Sequence, residues 1–83
     1  MVSQSVMPRS NAGNIDVPEL VQMACRYRSD ISIRNGQGEF DVKSIMAMMA
    51  LNFMDSVLTL SASGEDEEMA VRELVCYLNG KTE

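Results

Sequence analysis

The sequence predicts an α+β fold, a four-stranded antiparallel sheet with three helices on one face. Three observations carry that expectation. Four short segments, residues 2–7, 30–34, 39–42 and 57–62, place apolar residues on one face and polar residues on the other, which suits a sheet wetted on one side. Three segments open with capping signals at Asp16, Ser44 and Asp66. The resulting order is strand, helix, strand, strand, short helix, strand, helix, and 83 residues suffice for one domain, 1–83, with a thin core.

Taken in order, residues 2–7 form a strand with Val2 and Val6 facing in, ended by Pro8, which cannot donate to a ladder. A polar loop over residues 10–14 follows. Asp16 and Glu19 have the spacing of a capping box, and Pro18 fits the first turn of a helix. Val17, Leu20, Val21, Ala24 and Tyr27 make its buried stripe, with Arg26 and Arg28 placed to complement its C-terminal dipole. Ile31 and Ile33 point inward from the second strand, and Phe40 and Val42 from the third. Asn35-Gly36 signals a two-residue hairpin between them, which Gly38 can lengthen.

Ser44 stands at the N-cap of the next helix. Behind it, Ile45 to Leu51 carry no polar side chain. Met48 and Leu51 can point into the core, which leaves Ile45, Met46 and Met49 on another flank. A domain this small cannot bury every face of a short helix. Either another element covers that flank or it is a patch for a partner, a use to which the flexible thioether of methionine is suited. Asn52 is placed to end this helix in the left-handed conformation, and residues 53–56 connect onward. In the fourth strand Leu58, Leu60 and Ala62 face in. Asp66 caps the last helix, Glu65, Glu67 and Glu68 favour its positive end, Val71, Leu74, Val75 and Leu78 bury it, and Gly80 stops it.

Composition excludes several functions. A net charge of −5 with seven basic residues is no footprint for nucleic acid. No apolar run reaches the roughly 18 residues of a membrane span, and the first residues lack the charged-then-apolar pattern of a secretory leader, so a cytoplasmic protein is expected. Cys25 and Cys76 lack metal-ligand spacing and read as small hydrophobes in helices. No phosphate-binding glycine loop, metal-ligand set or nucleophile–base pair stands out, so no enzyme, cofactor or metal is expected.

The segments Val42-Lys43-Ser44-Ile45-Met46-Ala47-Met48-Met49-Ala50-Leu51 and Thr59-Leu60-Ser61-Ala62-Ser63-Gly64-Glu65-Asp66-Glu67, with Val21 to Ile31, resemble the HPr family, the small phosphocarriers of the bacterial sugar phosphotransferase system. The resemblance spans roughly residues 13–78 and implies that family's open-faced β-sandwich. It also implies that Ser44 matches a serine phosphorylated by an ATP-dependent kinase, and that Ile45, Met46 and Met49, with Lys43, form a surface for partners. By that analogy the partners are HPr kinase, phosphotransferase-system proteins or a transcriptional regulator.

The chain departs from the family where the phosphoryl group is carried. Active members have Gly-Leu/Ile-His-Ala-Arg-Pro at the start of the first helix, with a histidine as acceptor and an arginine holding its charge. Here the stretch reads Gly13-Asn14-Ile15-Asp16-Val17-Pro18, and the chain has no histidine. Transfer to histidine needs a nucleophilic imidazole, and Asp16 is explained by helix capping. The expected function is therefore an HPr-like regulatory or interaction protein that does not transfer phosphate through histidine and is regulated at Ser44. The alternatives are a purely structural protein-binding domain and a phosphocarrier with a non-histidine acceptor.

Overall fold

The computed structural model describes residues 1–8, 13–36, 38–53 and 57–80. Its elements are β1 (Val2–Val6), α1 (Val17–Cys25), β2 (Asp30–Asn35), β3 (Gly38–Asp41), α2 (Ile45–Ala50), β4 (Leu58–Ser63) and α3 (Glu67–Leu78). The four strands form one antiparallel sheet in the order β1-β4-β2-β3. β4 thus enters between β1 and β2, with Leu60 opposite both Gln4 and Ile33.

Alternation decides which face is buried. Ile31, Ile33, Leu58, Leu60 and Ala62 project to one side and are buried, while Ser32, Arg34, Thr59 and Ser61 on the other side are more exposed. The helices bury Leu20, Ala24, Met48, Val71, Leu74 and Leu78 in the same core. This is the expected α+β architecture with one wetted sheet face.

Several local expectations need correction. The hairpin ladder closes at Asn35 opposite Gly38, so Asn35 belongs to the strand instead of the loop. β3 ends at Asp41, and Val42 is buried from the following turn, its N–H bonded to the Ile31 carbonyl at 3.0 Å. β4 starts at Leu58 and leaves Val57 exposed. α1 stops at Cys25, so Arg26 and Arg28 lie past its last turn, where Arg26 faces Glu73 at 4.0 Å and Arg28 faces Glu65 at 3.7 Å. Cys25 is exposed, because the buried stripe of α1 runs through Leu20 and Ala24 instead.

Two capping assignments also differ. Asn52 is not left-handed, since no described residue other than glycine has positive φ. The chain leaves α2 through Leu51, already extended at ψ 134°, and that turn buries the leucine side chain. Asp66 occupies the N-cap position of α3, but its carboxylate makes no capping bond. It accepts instead from the Arg28 N–H at 2.9 Å, the Ser29 N–H at 3.0 Å and the Ser29 hydroxyl at 2.5 Å. Three donors from the α1–β2 turn outweigh one helix N–H. The loop expected over residues 10–14 and the connection over 53–56 lie partly outside the described residues.

Candidate functional site

The turn into α2 is built by Asp41. Its side chain accepts from the Lys43 N–H at 2.9 Å and its carbonyl from the Ser44 N–H at 3.1 Å. Ser44 is extended, at φ −103° and ψ 117°, and its hydroxyl accepts from the Ala47 N–H at 3.3 Å. It is therefore the N-cap that the sequence implies.

The helix behind it divides by its period. Met48 is fully buried, whereas Ile45, Met46 and Met49 are 44%, 79% and 72% exposed. α2 packs on α1 and β3, and neither covers that flank. Lys43 behaves differently from the other expected docking residues. It is half-buried, and its ammonium donates to the Tyr27 carbonyl at 2.8 Å. That bond ties the start of α2 to the end of α1, so the positive charge is engaged beneath the turn.

At the other end of α1, Gly13 and Asn14 form a short exposed turn, Ile15 and Val17 are half-buried, and Pro18 is exposed in the first turn. The Asp16 carboxylate accepts from the Glu19 N–H at 3.3 Å. The helix N-terminus, a natural seat for an anion, thus already holds a carboxylate of its own. Tyr77 closes this corner. The Asp16 N–H donates to its hydroxyl at 2.9 Å, and that hydroxyl donates to the Asp16 carbonyl at 3.3 Å. Burial pushes the Tyr77 phenol above its ordinary range. Tyr77 was missed in sequence because it lies 61 residues from its partner. The segment 13–18 leads into the start of α1, whereas Lys43, next to Ser44, is tied through its ammonium to Tyr27 just past the other end of that helix.

A family model described as the PTS HPr component phosphorylation site matches residues 17–79. The chain belongs to the HPr family. It is 36% identical over 81 residues to the HPr-like protein Crh of Bacillus subtilis, covering 94% of this chain and 95% of that one. It is 33% identical over 61 residues to the phosphocarrier protein HPr of Haemophilus influenzae, covering 72% of each. Among solved structures, an HPr of Bacillus anthracis superposes with a TM-score of 0.75 at 28% identity, covering 92% of this chain and 94% of that one. A crystal structure of Bacillus subtilis Crh, a domain-swapped intertwined dimer, superposes at 0.73 with 33% identity over 81% and 78% of the two chains. The matched family model is that of a phosphotransferase-system component, and the Haemophilus influenzae relative is by name a phosphocarrier protein. Among the described residues no helix is long and apolar enough to cross a membrane.

Proposed function

We propose that this HPr-family chain is a regulatory docking protein that carries no phosphoryl group on histidine and is switched by phosphorylation of Ser44. One juxtaposition carries the reading: a serine hydroxyl capping α2 directly beside the exposed Ile45, Met46 and Met49, in a chain with no histidine. A phosphate on Ser44 would meet unpaired N–H groups of the first helical turn and the positive end of the helix, so it adds charge without melting α2. That charge would stand at the rim of the methionine flank and change which partner the flank accepts. Lys43 contributes by holding the turn, since its ammonium is bonded to Tyr27. Gly13, Asn14, Ile15, Asp16, Val17 and Pro18 supply a capped helix start in place of a phosphate relay.

The partners by family analogy are an HPr kinase, other phosphotransferase-system proteins or a transcriptional regulator. Incubation with ATP and an HPr kinase, followed by mass mapping, is expected to label Ser44 and to leave Ser44→Ala unlabelled. Absence of label on the wild type overturns the switch. Phosphoenolpyruvate and enzyme I are expected to transfer no phosphate, and transfer to any residue overturns the loss of relay. Docking without modification is a second reading, favoured by the bond that the Ser44 hydroxyl already makes to Ala47. An unlabelled wild type that still captures a phosphotransferase-system partner, and loses it with Met46→Asp plus Met49→Asp, selects that reading.

A further inference from the structure

The outer flank of α2 is built largely from thioethers. No polar or charged side chain stands along Ile45–Ala50. The large side chains it turns outward are Ile45, Met46 and Met49, and Ile45 is the least exposed of them. The apolar character of the flank therefore rests mainly on Met46 and Met49, three positions apart on one side of the helix.

A thioether is the group on such a surface that a mild oxidant changes. The sulfur lone pair of methionine attacks one oxygen of hydrogen peroxide and the O–O bond breaks. An S–O bond forms, and the second oxygen leaves as hydroxide and takes the remaining proton to become water. Sulfur is oxidised and the peroxide is reduced, and the product is methionine sulfoxide. Each sulfoxide puts a polar acceptor on a side chain that was apolar. Buried in an apolar cleft without a donor, that oxygen opposes the burial that favours docking.

Position decides which methionines matter. Met48 lies between the two in sequence and is fully buried, so the same helix carries an internal reference. Met1, Met7 and Met69 are exposed too, but they lie beside β1 and in α3, away from this helix. We propose that Met46 and Met49 are a reversible oxidation site, at which a peroxide converts the docking flank from apolar to polar and so closes it. The inference rests on the docking reading of α2 and adds a control independent of Ser44.

Peroxide treatment in a Cys25→Ser, Cys76→Ser background, which removes competing thiols, tests the idea. Mass mapping over time is expected to find sulfoxide on Met46 and Met49 before Met48. Binding to immobilised HPr kinase is expected to weaken about tenfold or more, and to return when methionine sulfoxide reductases for both epimers are added. Met46→Leu plus Met49→Leu keeps the flank apolar and is expected to bind within about threefold of wild type, treated or untreated. The other methionines of that variant still meet peroxide, so damage elsewhere in the fold would persist in it. Oxidation of Met48 as fast as Met46 and Met49, equal binding before and after treatment, or a leucine variant that loses binding as wild type does overturns the proposal alone. Untreated protein that does not bind the kinase, or binds it equally with Met46→Asp plus Met49→Asp, overturns the docking reading and the proposal with it.

Discussion

Ser29 is the one fully buried polar residue among the described residues, and two neighbours fix it there. Asp66 accepts from its N–H and its hydroxyl, and Gly64 approaches so closely that a Cβ there would lie 2.6 Å from Ser29 Cα. Backbone cannot yield as a side-chain tip can, so Gly64→Ala is expected to destabilise by about 1–3 kcal/mol, read from the urea midpoint. The Ser29 hydroxyl and then the Arg28 N–H hold the Asp66 carboxyl below its ordinary 3.8. A carboxylate depressed in the folded state adds stability that is complete above the unfolded value and is lost as pH falls through the folded one. Asp66→Asn is therefore expected to lower stability at neutral pH and to flatten the acid limb of a stability-versus-pH curve. An unchanged acid limb would remove Asp66 from this role. None of this was legible locally. Asp66 has the sequence position of a cap, and the donors that claim its carboxylate lie 37 and 38 residues away.

At the scale of the element, α2 shows how far periodicity reaches. The helical period alone separates Met48 from Met46 and Met49, and the structure buries the first and exposes the other two. Met48→Ala is expected to cost about 2–5 kcal/mol in chemical denaturation, because it opens a cavity under a thin core. Met46→Asp plus Met49→Asp is expected to shift stability by less than about 1 kcal/mol, since neither side chain supports the core. Equal losses from the two variants would contradict this division. The cap at Ser44 was also legible, because an N-cap acts within its own turn. The role of Lys43 was not, since its acceptor is a carbonyl 16 residues earlier, delivered only when α1 and α2 pack. The end of α1 was likewise misplaced by two residues: Tyr27 continues the apolar period but sits beyond the helix, where its hydroxyl donates to Glu73 and its pKa is pushed up to about 12, first by burial and then by that carboxylate.

For the whole molecule the strand order is the governing fact. β4 is bonded along both edges, β2 along both, and β1 and β3 along one. Amide exchange is expected to be slowest in β4 and β2, whose opening requires breaking two ladders at once, and faster in β3. Faster exchange in β4 and β2 than in β3 would contradict the order. Sequence patterning could establish that four half-buried strands share a sheet. It could not place the last strand between the first and second, because every strand shows the same alternation; only the pairing of β4 with both β1 and β2 does so.

The same order sets α2 beside β3 and leaves β1 at the far rim. A molecule held by one border keeps the opposite border unobstructed. A partner seated on the methionine flank of α2 would therefore leave the β1 side of the sheet open to a second contact at the same time.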